Sequence, residues 1–230
     1  MLPEADDGLR FTYVAVGASE SLGAGTDEPA LEAWTSLLYR EVMPRAAVFV
    51  NVAKSGSTVK RALEEQVPQA LEQDPALVTV WLNVNDLVRT VPVAEYERDL
   101  GLLVQRLRRD GKTEVLVAGT PTIEDLPVVR ACLTGLPQPL PCRLPNRLPG
   151  AESVIAAAKE YNAAIARVAD REGAVLVDLR RPAGDEAGRG DNLYAPDGFH
   201  PSSEGHRAVA DAFGSALRSA PHTRRFAARP

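Results

Sequence analysis

Residues 11–21 read FTYVAVGASES, an apolar, β-branched run that stops at Gly17-Ala18-Ser19-Glu20-Ser21. An unbroken apolar run of about six residues, closed by glycine and small polar residues, suits a strand covered on both faces rather than one with a wet side. A serine just past such a strand, between small neighbours, can be held at a turn with its hydroxyl exposed. Its own N–H can then face an incoming carbonyl.

Outward from this stretch the same unit recurs. Strands are expected at 11–16, 47–52, 76–82, 113–118 and 174–179, separated by segments of helical period. Val93, Tyr96, Leu100, Leu103, Val104 and Leu107 mark one face of a helix over 93–110, which Gly111 should stop. Val154, Ile155, Ala158, Tyr161, Ile165 and Val168 mark another over about 153–172, closing on Gly173. A last helix starts near Ser202, an N-cap that follows His200-Pro201. Buried strands alternating with helices imply an α/β fold with a parallel sheet covered on both faces. A chain of 230 residues with 45% hydrophobic content buries one full core. The expectation is one domain over 1–230, with a core at about 11–220 and a short basic tail, 221–230, that frays into solvent.

The charge balance narrows the function. Twenty-six basic against 31 acidic side chains leave −5, the wrong sign for wrapping nucleic acid. No apolar run approaches the roughly 18 residues of a membrane span. The N-terminus lacks the basic-then-apolar pattern of a signal peptide, although a mature exported form carrying an added Met would look the same. The chain reads as soluble and globular, with its compartment and oligomeric state open.

In open parallel sheets, ligands sit at the carboxyl ends of the strands near the topological switch point. Three strands here run into residues suited to acyl chemistry. The first leads to Ser19. The second leads to Lys54-Ser55-Gly56-Ser57-Thr58, where Gly56 lets bare backbone approach a ligand. The third leads to Asn83-Val84-Asn85-Asp86, where an Asn amide is a fixed, uncharged donor for an oxyanion. Asp86 is expected to cap the helix that follows. Near the C-terminus, Asp197-Gly198-Phe199-His200 sets a carboxylate three residues before an imidazole, with Gly198 permitting the turn that lets them meet. Together these supply a nucleophile, oxyanion donors, a base and a group to orient the base.

These four blocks, in this order over about 11–212, resemble the SGNH hydrolases, also called the GDSL esterase/lipase family. The resemblance matches Ser19 to the nucleophile, Gly56 and Asn85 to the oxyanion donors, His200 to the base and Asp197 to the acid preceding it. It implies a three-layer α/β/α, flavodoxin-like sandwich with a parallel sheet of about five strands. It also implies a serine esterase or lipase acting on a small ester through an acyl-enzyme, with no metal or organic cofactor. Two positions depart from the family pattern. Ala18 stands where Asp is usual, which bears on the loop more than on the triad. Asn83 stands where Gly is usual, tolerable if a positive φ is needed there and a change to the pocket wall in any case.

Each residue has an ordinary reading as well. Ser19 could be a helix cap, and Ser21 is its rival as nucleophile. Gly56 and Asp197-Gly198 could be plain turns. His206 falls inside the last helix, where a structural role fits, and His222 lies in the tail. The glycines of 17–25 do not space as GxGxxG, and Lys54-Ser55 lacks the glycine of a phosphate loop. Asp185, Glu186, Asp191 and Asn192 match no calcium loop, and the two cysteines and three histidines offer no zinc spacing. An acyltransferase would use the same residues as a hydrolase. A binding module without turnover, or a flavodoxin-like nucleotide or flavin binder, would keep the fold alone.

The stretch 120–150 is the least regular. Pro121, Pro127, Pro137, Pro139, Pro141, Pro145 and Pro149 forbid a long helix there. Leaving the fourth strand at the site end, the loop carries apolar residues, Leu133 and Leu136 among them, suited to a lid or acyl-binding wall. Cys132 and Cys142 also lie in it. A bridge between them would imply an oxidising compartment, and two reduced thiols a cytoplasmic enzyme.

Overall fold

The computed structural model describes residues 10–134, 150–180 and 190–228. Five strands, β1 (Thr12–Gly17), β2 (Val48–Asn51), β3 (Leu77–Trp81), β4 (Glu114–Ala118) and β5 (Val175–Val177), form one parallel sheet in the order β2-β1-β3-β4-β5. Eight helices occur among the described residues: α1 (Pro29–Glu32), α2 (Trp34–Val42), α3 (Val59–Glu72), α4 (Val84–Val88), α5 (Val93–Arg108), α6 (Pro127–Thr134), α7 (Ala151–Glu172) and α8 (Ser203–Ser219). All five expected strands are present with trimmed ends, in the three-layer α/β/α arrangement.

The apolar runs are explained by the two cores they feed. Val14, Val16, Val78, Val80, Val115 and Val117 pack with residues of α3, α5 and α7. The alternate residues Tyr13, Ala15, Leu77, Trp81, Leu116 and Ala118 pack with residues of α2 and α8. With both pleat faces buried, period-two alternation disappears from the sequence. The chain passes from β1 outward to β2, then returns across β1 to β3. Loops after β1 and β3 therefore diverge at the switch point and leave a crevice.

Helix ends follow local chemistry, with two corrections. Ser202 caps α8, its Oγ accepting from the Gly205 N–H at 3.2 Å, and Gly173 closes α7 at φ +68°. α5, by contrast, ends at Arg109 (φ +51°), before Gly111 is reached, because Arg109 and Asp110 already adopt left-handed backbone. Within 120–150, expected to be irregular, α6 forms. Pro127 is its first residue, where a missing N–H leaves no helical bond unmade. Residues 135–149, with Pro137, Pro139, Pro141, Pro145 and Pro149, lie outside the described part.

The tail is also corrected. Up to residue 228 it does not fray. Phe226 is buried edge-on against Phe11, with ring centroids 4.8 Å apart, and the Ala228 N–H donates to the Val42 carbonyl at 2.7 Å. Burying one aromatic side chain outweighs the solvation of its basic neighbours, because Arg225 can lie over the Phe226 ring, 4.8 Å from its centroid, and stay wet. No helix among the described residues is long and apolar enough to cross a membrane.

Candidate active site

β1 delivers Ser19 at the switch point, on a short 3-10 turn (Ser19–Leu22) ended by Gly23 in left-handed backbone. Ser19 Oγ lies 3.1 Å from His200 Nε2, and His200 Nδ1 lies 2.6 Å from Asp197 Oδ2. An ionised Asp197 can only accept. That assigns the imidazole proton to Nδ1 and leaves Nε2 open to the Ser19 hydroxyl. The other Asp197 oxygen accepts the N–H groups of Phe199 (2.9 Å) and His200 (3.0 Å). Partial burial pushes the Asp197 carboxyl up, but the bond to His200 and these two N–H groups hold it below the usual carboxylate range.

The 195–200 loop that carries His200 is closed on itself. The Ala195 N–H donates to the His200 carbonyl and the Gly198 N–H to the Ala195 carbonyl, both at 2.8 Å, and Tyr194 pairs antiparallel with Pro201. Gly198 takes φ +69°, the turn that brings Asp197 under the imidazole. The Val128 N–H of α6 donates to the Gly198 carbonyl at 3.2 Å, tying the loop to the segment after β4.

Gly56 sits after β2 at φ +70°, so its glycine serves conformation, there being open space where a side chain would stand. Among the described residues, neither the Ser19 nor the Gly56 N–H donates to a backbone carbonyl. Asn85 is half-buried on α4. Asp86 does not cap α4 as expected from sequence. Both its oxygens accept the Val59 N–H (3.2 and 3.0 Å) at the start of α3, which ties the Asn85 block to the Gly56 block. Burial pushes the Asp86 carboxyl up to about 6.

The profile of the GDSL-like Lipase/Acylhydrolase family matches residues 15–208. The chain belongs to that family. Esterase TesA of Pseudomonas aeruginosa is 30% identical over 110 residues, 47% of this chain and 53% of that protein. The match thus spans about half the length of that curated relative. A crystal structure of TesA, 25% identical, covers 90% of this chain and 98% of its own with a TM-score of 0.63. LAE5, an α/β hydrolase enzyme from the metagenome of Lake Arreo, Spain, is 22% identical, covers 91% of this chain and 95% of its own at a TM-score of 0.65, and bears on the fold. Membership of the GDSL-like lipase/acylhydrolase family puts the chain among carboxylic ester hydrolases.

Several site residues of this family member behave differently from their sequence reading. Ser21, the rival serine, is fully buried and its Oγ occupies the space a side chain on Gly17 would need, whereas Ser19 is the serine that meets His200. Asn83 is at φ −157°, a negative value, so tolerance of positive φ does not explain it. Its amide is 97% buried (3% exposed) with neither atom hydrogen-bonded. Leu133 is 42% exposed on α6. Cys132, on the same helix, is not a free thiol. Leu136 and Cys142 lie outside the described residues.

Gln66, Glu20 and Gly25 are site residues to which the sequence reading gives no role. Gln66 of α3 bonds Gly17 and Ser57. Glu20 places a buried carboxyl beside Ser19. Gly25, at φ +100°, has no room for a side chain, because a Cβ would collide with the Pro201 carbonyl and meet the His200 Cβ at 3.0 Å. His206 links the Ala24 carbonyl, 3.0 Å from Nε2, to the Trp34 N–H, which donates to Nδ1 at 3.3 Å. Burial pushes that imidazole down, which suits the structural role expected for it.

Proposed function

We propose that this family member hydrolyses small carboxylic esters by two-step acyl transfer, with Ser19 as nucleophile, His200 as base and Asp197 orienting the imidazole. The observation that carries this reading is the unbroken chain Ser19 Oγ–His200 Nε2 (3.1 Å) and His200 Nδ1–Asp197 Oδ2 (2.6 Å) at the switch point of the sheet. In the first step the Ser19 proton passes to Nε2 while Oγ bonds to the carbonyl carbon. The carbonyl electron pair moves onto oxygen, facing the Ser19 and Gly56 N–H groups and the Asn85 amide. Collapse breaks the bond to the alcohol, which leaves with the proton from Nε2. Water then repeats the sequence and releases the acid.

The segment after β4 is assigned to the acyl side. Its helix α6 is bonded to the base-bearing loop, and Leu133 would line the path of the chain; the buried, unpaired Asn83 amide alters the pocket wall. The test is a fluorophosphonate probe followed by peptide mapping, together with p-nitrophenyl esters from acetyl to octanoyl. A label on Ser19, and loss of octanoate activity exceeding loss of acetate activity in Leu133→Ala, are expected. Label on another serine, or none on folded protein, would remove Ser19 from the mechanism.

A further inference from the structure

The Ser19 hydroxyl has one proton and two acceptors within reach. His200 Nε2 lies at 3.1 Å and Glu20 Oε2 at 3.4 Å, the latter near the limit of a hydrogen bond. Glu20 is only 7% exposed. A carboxyl buried beside the nucleophile is not required by the acyl-transfer scheme, and an ionised one would oppose it. Negative charge at Oγ and on the substrate oxygen must grow within a few ångströms of it.

The surroundings of Glu20 decide its form. Facing it are its own backbone N–H, the Ser19 hydroxyl and, from the 195–200 loop, His200, with Asp197 beyond the imidazole. Lys54, on the β2–α3 loop, is engaged by Glu65 at 3.0 Å. His206, from α8, is turned to the Ala24 carbonyl. Burial pushes the Glu20 carboxyl up, and its own N–H, His200 and the Ser19 hydroxyl offset part of this. Enclosure of the carboxyl beside the Ser19 hydroxyl disfavours its charged form and favours the neutral acid.

We infer that Glu20 is a positioning residue that sets the direction of the Ser19 proton. As a neutral acid it donates to Oγ, and the Ser19 hydrogen is left to His200. As a carboxylate it draws that hydrogen to itself and turns the nucleophile off. No proton leaves Glu20 during turnover. The proton transferred is the serine's, to Nε2 and on to the leaving alcohol. This inference rests on the assignment of Ser19 and His200 above.

The experiment measures kcat/KM for p-nitrophenyl acetate and the rate of fluorophosphonate labelling against pH, for wild type, Glu20→Gln and Glu20→Leu. Wild-type activity should pass through a maximum and fall on the alkaline side as Glu20 loses its proton. Glu20→Gln keeps a donor at every pH. It should stay within about threefold of wild type at the optimum and lose the alkaline fall. Glu20→Leu, which suits a buried position if Gln does not fold, should lose roughly tenfold and also lack the alkaline fall. An alkaline fall that persists in both variants, a wild-type plateau up to roughly pH 9, or a loss beyond about 100-fold in Glu20→Gln would overturn the inference. If wild type carries no label on Ser19, the underlying nucleophile assignment fails first, and the inference with it. A Ser19 label with an unchanged Glu20→Gln profile refutes the inference alone.

Discussion

Gln66 holds Gly17 by both hydrogen-bonding edges. Its Oε1 accepts the Gly17 N–H at 2.9 Å, and its Nε2 donates to the Gly17 carbonyl at 3.0 Å and to Ser57 Oγ at 2.9 Å. One buried amide on α3 thereby fixes the exit of β1, which carries Ser19, against the turn after β2, which carries Gly56. The proposed nucleophile and one proposed oxyanion donor are set relative to each other by a fully buried side chain.

Replacing Gln66 by Leu should therefore cost both stability and rate. The change strands the buried Gly17 N–H and Ser57 hydroxyl, at about 1–3 kcal/mol for each group left unpaired. Urea denaturation should show a lower midpoint at unchanged m-value, and kcat for p-nitrophenyl acetate should fall while KM moves little. A stable variant with full kcat would show that the clamp is incidental.

Asn85 separates transition-state stabilisation from structure. If its amide donates to the oxyanion, Asn85→Ala should lower kcat by about 10²–10³ with little change in KM or melting temperature. Asn85→Asp keeps the shape but adds negative charge where negative charge must develop, and should be no better than Ala. A near-normal kcat in Asn85→Asp would take Asn85 out of the mechanism.

Gly25 should be intolerant of any side chain. A methyl group there meets the Pro201 carbonyl and the His200 Cβ, and the φ of +100° is itself strained for an L residue. Gly25→Ala should push the base-bearing loop away from Ser19 and cost roughly 10²-fold in kcat, the scale expected for misplacing a catalytic group by about 1 Å. Fluorophosphonate labelling of Ser19 should slow in proportion. Normal labelling kinetics in the folded variant would refute the steric account.

Asp86 makes a pH-dependent contribution to stability. Burial raises its folded value from the ordinary 3.8 to about 6, so the native state holds this proton more tightly than the unfolded chain. Its contribution is then fully present below the unfolded value and is lost as pH rises through about 6, by at most about 3 kcal/mol. Asp86→Asn, which still accepts from the Val59 N–H, should flatten that part of the stability–pH curve. The check is chemical denaturation of both proteins between about pH 4 and 7. Parallel curves would rule out Asp86 as the source.

The placement of Ser19, Gly56 and His200 is legible in the sequence because each sits in a turn with distinctive neighbours, small residues and glycines after apolar runs or Asp-Gly before an imidazole, and that of Asn85 because it enters α4 directly after β3. The strands are legible because burial on both faces leaves runs such as Val14–Ala15–Val16 with no polar interruption. Gln66 is not legible. It lies mid-helix, next to Glu64 and Glu65, and nothing local separates a glutamine aimed at a strand end from one aimed at solvent. Gly25 needs to be glycine only because residues 195–201 fold back on it, a constraint arising from the far end of the chain. Phe226 is hidden by its basic neighbours, since composition averages over the one side chain that packs. Asp86 is misjudged because capping rules look forward along the chain, and its partner, Val59, lies behind it.

The bond between Ser19 and His200 joins residues 181 positions apart. With the two acting as proposed, hydrolysis cannot appear at any intermediate stage of chain growth or renaturation in which helices have formed but the 195–200 loop has yet to arrive. Closing so long a segment comes late on entropic grounds. Turnover becomes a clock for the final event of assembly, and in a refolding experiment it should lag the recovery of helical circular dichroism. A chain released before residue 200 would be silent toward esters however well its sheet had formed.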